Sequence, residues 1–175
     1  RTWAVVLIVG YLAAFAWTIL TLRHGLTARG LPPGADFIIF YATSILTLQG
    51  KAALVYAPHA LLAAERMVFP AGRAIYLWVY PPTFQLVVWP LALIPYGAAL
   101  AAWTAAGLAA YLAMVRLISR DARALLLALA FPAAFMNAAQ GQNGFFTAAL
   151  MGAGLLLLDR RPLTAGALLG LLVIK

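Results

Sequence analysis

Residues 124–158 read ALLLALAFPAAFMNAAQGQNGFFTAALMGAGLLLL and contain no charged side chain. As one straight helix this run would extend about 52 Å, which exceeds the ~30 Å hydrocarbon core of a bilayer. The run must therefore break, and the stretch Gln140-Gly141-Gln142-Asn143-Gly144 supplies the polar residues and glycines for a turn. We predict two membrane helices, over 124–139 and 143–158, that meet at this turn.

The composition of the whole chain agrees with a membrane protein. Hydrophobic residues make up 66% of the 175 positions and charged residues only 9%, which is too little polar surface to cover a soluble globule. The chain has 12 Lys and Arg against 4 Asp and Glu. Many of the basic residues stand at the ends of apolar runs, as in membrane proteins, so we expect bilayer lipids as partners and no nucleic acid.

The other apolar runs outline an all-α, polytopic bundle of transmembrane helices in a single domain. Further spans are predicted over 3–22, 96–115 and 163–175, because each run approaches the roughly 20 apolar residues that cross a bilayer or starts such a run. Residues 23–95 are more polar and form a long loop. Within the loop we predict helices over 37–49 and 59–69 that lie on or near the membrane surface.

The basic residues also predict an orientation. Residues 83–94 are apolar but short, and prolines interrupt them, so we expect that they do not cross. Arg1, the arginines of 116–123 and Arg160 then lie on one side, which the positive-inside rule makes cytoplasmic. The loop 23–95, the turn at 140–144 and Lys175 fall together on the extracytoplasmic side of the cell membrane.

Asp36 is one of the four acidic residues and stands at the head of the predicted helix 37–49. Its carboxylate could cap the free N–H groups of that helix, or it could act as a general base beside an apolar surface. Both roles remain open from the residues alone. Glu65 precedes Arg66 on the predicted helix 59–69, and we expect its carboxylate to be solvated or paired.

Three further features have both a structural and a functional interpretation. Tyr80-Pro81-Pro82 signals a helix start, or a rigid wall for an amphiphilic ligand. The amides of Gln140, Gln142 and Asn143 form an interfacial turn, or a cluster that binds sugar hydroxyls or phosphate. Lys175 is an interfacial anchor or a phosphate contact. Motifs of soluble enzymes and clusters of metal ligands are missing, so we predict no cofactor and no metal.

The order of several short motifs resembles glycosyltransferase family 87, the DUF2029 group of polytopic GT-C-type glycosyltransferases. The resemblance covers nearly the whole chain, and family members are longer, so we expect this chain to be the N-terminal part of one. The matching motifs are Asp36-Phe37-Ile38-Ile39-Phe40-Tyr41, Leu48-Gln49-Gly50, Val55-Tyr56, Tyr80-Pro81-Pro82, Pro90 through Tyr96 with Trp103, Gly141-Gln142-Asn143, and Ala165-Gly166 through Gly170-Leu171 to Lys175.

The resemblance implies a chemistry. A mannose-like hexose would pass from a polyprenyl-phosphate donor to a hydroxyl of a lipid or glycan acceptor at the extracytoplasmic face, with inversion at the anomeric carbon. Asp36 would be the general base, and Lys175 would neutralise the phosphate that leaves. Tyr41, Tyr80, Gln142 and Asn143 would line the pocket. Spans beyond residue 175 would supply part of the site, so the implied activity is that of the longer protein.

Two other functions remain open from the sequence. A membrane transporter or lipid flippase would use the amides and one aspartate as a pathway, but such proteins usually place ionisable groups within their spans. A structural membrane protein would use Asp36 only as a helix cap. An Asp36→Asn variant separates these functions, because asparagine caps a helix well but cannot act as a base.

Overall fold

A computed structural model describes residues 2–72 and 76–174 of the chain. This part of the chain folds into nine α-helices with 3-10 turns between some of them, and it contains no β-strand, which confirms the all-α prediction. The helices are α1 (Thr2–Leu20), α2 (Phe37–Leu48), α3 (Pro58–Val68), α4 (Pro82–Val88), α5 (Tyr96–Ser119), α6 (Ala122–Ala130), α7 (Pro132–Gln140), α8 (Gly144–Leu157) and α9 (Pro162–Gly170).

Two helices, α1 and α5, are long and apolar enough to cross a membrane. The pair α6 and α7 together is a third candidate, although the two helices meet at an angle of 60°. Helices α8 and α9 are apolar but shorter than a full crossing, so the spans over 143–158 and 163–175 stay predictions. The segment 83–94 forms the short helix α4 and a 3-10 turn over Leu91–Leu93.

The bend between α6 and α7 was not predicted. We expected one continuous helix over 124–139, but α6 ends at Ala130 and Phe131 adopts an extended conformation. Pro132 then opens α7. A proline has no N–H to donate and its ring crowds the preceding turn, which is the physical reason for the break. The uncharged run 124–158 therefore breaks twice, at Phe131 and at the predicted turn after Gln140.

Helix α2 lies at the centre of the packing. Phe37 and Phe40 are fully buried, and their rings contact aromatic rings from several other segments, among them Phe84 of α4 and Trp103 of α5. A helix that lies on a surface keeps one exposed face, but nearly every residue of α2 from Phe37 to Leu46 is buried. Helix α3 does keep an exposed face and packs against α2.

Helices α6 and α8 pack along α5, and α1, α7 and α9 pack on these two helices. Helix α8 packs against both α5 and α9, and α6 packs against α1 and α5. The ring of Tyr11 on α1 stacks on Phe135 of α7 with 4.3 Å between centroids, and its hydroxyl donates to the carbonyl of Ala130. The turn between α7 and α8 lies at the start of α2, where the backbone N–H of Asp36 donates to the carbonyl of Gln140.

Candidate functional site

The turn after α7 is positioned by a glycine. Gly141 has a φ of 66°, a left-handed conformation that glycine adopts without strain. A Cβ on Gly141 would lie 2.6 Å from Cβ of Phe37 and 2.8 Å from Cδ1 of Leu100, so only a glycine fits against α2 and α5. The Gly141 carbonyl accepts a hydrogen bond of 3.1 Å from the indole N–H of Trp103. These contacts fix the turn against the start of α2.

Asp36 meets the turn through both its backbone and its side chain. Its backbone N–H donates to the carbonyl of Gln140 at 3.1 Å. Its carboxylate Oδ2 accepts a hydrogen bond of 2.6 Å from the side-chain amide Nε2 of Gln142. The side chain makes no capping bond to the N–H groups of α2, so the helix-cap interpretation of Asp36 is wrong. The half-buried carboxylate is held from outside its own helix.

Tyr80 completes this polar group. Its hydroxyl donates to Oε1 of Gln142 at 3.4 Å, so one glutamine amide joins the tyrosine to the aspartate. The backbone carbonyl of Tyr80 accepts from the hydroxyl of Tyr56 at 2.8 Å, which fixes the segment before α4. Burial raises the pKa of Tyr80, and the negative charge of Asp36 raises it further. The Tyr80 phenol therefore stays protonated and uncharged at neutral pH, as a hydrogen-bond donor to Gln142.

The other predicted site residues are placed differently. The Tyr41 hydroxyl donates to the carbonyl of Ile94 at 2.9 Å, which fastens α2 to the segment before α5. Among the described residues, Tyr41 shares no hydrogen bond with Asp36, Gln142 or Tyr80. Lys175 lies outside the residues that the structure describes, so its contact with phosphate stays a prediction.

Asn143 follows Gln142 directly but does not join its hydrogen bonds. It is 1% exposed, and neither its amide nitrogen nor its amide oxygen has a hydrogen-bond partner within residues 2–72 and 76–174. Asn143 is among the residues that line a half-open cavity of about 440 Å³ between aromatic and aliphatic side chains of α4, α5 and α8. The sequence predicted that Asn143 is a site residue, but not that its amide stays unpaired.

Glu65 was not predicted as a buried group. We expected a solvated or paired carboxylate, but the side chain is only 5% exposed and its Oε1 has no partner in the described ranges. Burial raises the pKa of Glu65 to about 7, although a hydrogen bond from the backbone of Tyr76 opposes the change. Burial raises the pKa of the Tyr76 phenol, and the negative charge of Asp36 raises it further. Leu61 and Val68 stand four residues before and three residues after Glu65, so the helical period of the apolar residues places Glu65 on the buried face of α3.

No group of three or more potential metal-binding side chains occurs among the residues that the structure describes. The polar side of the site offers one carboxylate, one amide and one phenol, which together suit the binding and deprotonation of a hydroxyl group. The apolar side offers a cavity next to the same turn.

Comparison with known proteins identifies the chain's family. The model of glycosyltransferase family 87 matches residues 78–175, which is more than half of the chain. The matched region contains Tyr80, Gln142 and Asn143, and Asp36 precedes it. Comparisons with curated proteins and with solved structures gave no match. The family match favours sugar transfer over the transporter and the purely structural alternatives.

Proposed function

We propose that this chain, which belongs to glycosyltransferase family 87, carries the general base of a membrane hexosyltransferase. The donor is a polyprenyl-phosphate sugar with a mannose-like hexose, and the acceptor is a hydroxyl of a lipid or glycan. The reaction takes place at the extracytoplasmic face of the cell membrane, with the N-terminus in the cytoplasm. The membership itself implies a sugar donor and an acceptor, and the finer assignments are the proposal.

The hydrogen bond from Gln142 to Asp36 is the observation that carries the proposal. It occupies Oδ2 of the carboxylate, while Oδ1 accepts no hydrogen bond from the described residues. A base must be held in place yet keep one oxygen for the proton it takes. Gln142 fixes the carboxylate, and Tyr80 fixes Gln142 in turn, so Asp36 presents a free oxygen at a defined position.

The proposed reaction is a single displacement. The acceptor oxygen attacks the anomeric carbon while the bond from that carbon to the phosphate oxygen breaks. The proton of the acceptor hydroxyl goes to Asp36, and polyprenyl phosphate leaves with the electron pair. Attack from the side opposite the phosphate inverts the anomeric carbon. The charge that develops on the phosphate needs a cation, and Lys175 is the residue we propose for it.

Sugar transfer from a radiolabelled polyprenyl-phosphate hexose to membrane acceptors tests the proposal in the full-length protein. Asp36→Asn removes the base, so we expect transfer to fall roughly 100-fold to 10,000-fold. Asp121→Asn is the matched control. Asp121 is an N-cap of α6 that accepts a hydrogen bond from the Arg123 N–H, and asparagine serves that role equally well.

Two results would overturn the proposal. Equal transfer in Asp36→Asn and wild type would mean that another group takes the proton. Absence of transfer in the wild type, with the protein folded and several polyprenyl-phosphate sugars offered, would mean that the donor class is wrong.

A further inference from the structure

Gln142 is held by its backbone as well as by its side chain. Its N–H donates to the backbone carbonyl of Asn137 at 3.0 Å. Its own carbonyl accepts a hydrogen bond of 3.2 Å from the side-chain amide Nδ2 of Asn137. One asparagine of α7 therefore bonds to both backbone groups of the residue that orients Asp36.

The side-chain bond of Asn137 goes beyond what the end of α7 needs. A helix commonly ends at a left-handed glycine, with two backbone N–H groups bonded back to carbonyls of the last turn. In α7 these are the N–H groups of Gly141 and Gln142, which donate to the carbonyls of Ala138 and Asn137. The carbonyl of Gln142 takes no part in this arrangement. The amide of Asn137 therefore fixes a backbone group that the helix end does not use.

The surroundings of Asn137 keep its amide in place. A Cβ on Gly144 would overlap Oδ1 of Asn137, so a larger residue at position 144 would displace the asparagine side chain. Helix α7 is itself anchored, because the ring of Phe135 stacks on Tyr11 of α1. Asn137 thus connects Gln142 to a supported helix.

Three successive carbonyls of the turn accept hydrogen bonds, those of residues 140, 141 and 142. Their donors are the backbone N–H of Asp36, the indole N–H of Trp103 and the amide of Asn137. These donors come from the start of α2, from α5 and from α7. The backbone that carries the Gln142 side chain is therefore fixed from three directions.

The side chain of Gln142 tolerates little movement of that backbone. Its Nε2 lies 2.6 Å from the carboxylate of Asp36, but its Oε1 lies 3.4 Å from the hydroxyl of Tyr80, which is near the limit of a hydrogen bond. A misplacement of about 1 Å can lower the rate of an enzyme roughly 100-fold. A residue that fixes the backbone of Gln142 therefore contributes to the position of the carboxylate.

We propose that Asn137 is a positioning residue of the reaction, which acts on Asp36 through Gln142. The inference rests on the proposed function, because it takes Asp36 as the base. Asn137 holds the backbone of Gln142, and the amide of Gln142 then holds Oδ2 of Asp36. The sequence analysis did not single out Asn137, which lies three residues before the polar turn.

A double-mutant cycle in the full-length protein tests the inference, with transfer from a radiolabelled polyprenyl-phosphate hexose as the readout. Asn137→Leu keeps a similar volume and removes the amide, so we expect kcat to fall roughly tenfold while KM stays within about twofold. In the Gln142→Leu background we expect the same substitution to lower kcat less than about twofold, because Asn137 acts through Gln142. Equal falls in both backgrounds would overturn the inference, since a purely structural asparagine acts independently of the Gln142 side chain.

Thr147→Val is the matched control. The Thr147 hydroxyl donates to the carbonyl of Gly144 at 3.0 Å, so this variant also removes a side-chain hydrogen bond to the backbone beside the turn. It changes none of the bonds to Gln142, and we expect kcat within about twofold of wild type. A tenfold fall in this control would overturn the inference, because the loss of any such bond would then lower kcat.

A second variant keeps the test decisive if Asn137→Leu does not fold. Asn137→Ala also removes the amide, and alanine is shorter and favours the helix. We expect the same roughly tenfold fall in kcat and the same dependence on Gln142. An unchanged kcat in folded Asn137→Ala would overturn the inference.

A readout without sugar transfer separates this inference from the proposed reaction. Glutamine-selective ¹⁵N labelling of the full-length protein in nanodiscs reports the side-chain amide of Gln142, whose signal is assigned by its absence in Gln142→Leu. We expect Asn137→Leu to shift this signal in the same direction as Asp36→Asn, because both weaken the same hydrogen bond, and Thr147→Val to leave it in place.

The two proposals then fail separately. An unchanged Gln142 signal in Asn137→Leu, together with loss of transfer in Asp36→Asn, contradicts only the role of Asn137. A shifted signal in Asn137→Leu, together with intact transfer in Asp36→Asn, contradicts the proposed reaction and confirms that Asn137 holds Gln142 against Asp36.

Discussion

Gln142 and Asn143 are neighbours in the chain, but their surroundings are opposite. The amide of Gln142 is used at both ends, since its nitrogen donates to Asp36 and its oxygen accepts from Tyr80. The amide of Asn143 is buried beside an apolar cavity and has no partner in the described residues. A turn thus separates a paired polar group from an unpaired one. The difference shows that two adjacent amides of the same turn can be fully paired and wholly without partners among the described residues.

Gly141 supports both sides of this comparison, so changing it should have the largest effect. Gly141→Ala adds a Cβ that clashes with Phe37 and Leu100 in a backbone conformation that alanine adopts only at a cost. We expect a loss of about 2–5 kcal/mol in the free energy of unfolding, from backbone strain and overpacking together. Thermal unfolding in detergent measures the loss.

Gly50→Ala separates the two causes. Gly50 has a similar φ of 72°, but nothing lies within 4 Å of the position its Cβ would take. We expect a loss of only about 1–2 kcal/mol there, from strain alone. If both variants lose the same stability, the close contacts of Gly141 with α2 and α5 do not contribute.

Gln142→Leu removes the hydrogen bonds that join Gln142 to Asp36 and Tyr80 and leaves Asn143 unchanged. The variant removes the hydrogen bond that orients Asp36, and a hydrogen bond to a charged group contributes about 1.5–3 kcal/mol. We expect kcat for sugar transfer to fall roughly 10-fold to 100-fold. Gln140→Leu is the matched control, because the Gln140 side chain makes no hydrogen bond to the described residues. An equal fall in kcat in both variants would mean that any leucine in this turn impairs the enzyme, and that the hydrogen bond to Asp36 is not the cause.

Glu65 extends the comparison to a buried carboxylate whose Oε1 has no partner among the described residues, and here the expected effect depends on pH. Glutamate in an unfolded chain titrates near pH 4.5, but burial raises the pKa of Glu65 to about 7. Between these pH values the folded protein keeps a proton that the unfolded chain releases. Stability is therefore highest below pH 4.5 and falls as the pH rises through 7, by about 1 kcal/mol per pH unit.

Glu65→Gln should remove this dependence, because glutamine does not titrate. Denaturant unfolding at pH 5 and pH 8 compares the two proteins, and we expect the variant to be the more stable one at pH 8. A wild-type stability that is constant between pH 5 and pH 7 would contradict the burial of Glu65 as an ionisable group.

The amino-acid sequence by itself determined the class of the protein and most of its helices. The hydrophobic content, the lengths of the uncharged runs and the prolines are local signals, and they predicted the helices at 37–49, 59–69 and 96–115 and the turn after Gln140. Helix boundaries follow such signals because a helix is stabilised by bonds between near neighbours. The bend at Phe131 was within reach of the same signals, since Pro132 was visible in the sequence.

The tertiary structure alone decided which polar groups are paired. Asp36 and Gln142 are 106 residues apart, and no local pattern reports that their side chains meet. The same holds for Oε1 of Glu65 and the amide of Asn143, which have no partner among the described residues. These properties depend on how the loop helices pack against α5 and α8, and packing joins residues that are distant in the chain. The physical reason is that pairing requires proximity in space, whereas the sequence gives proximity only along the backbone.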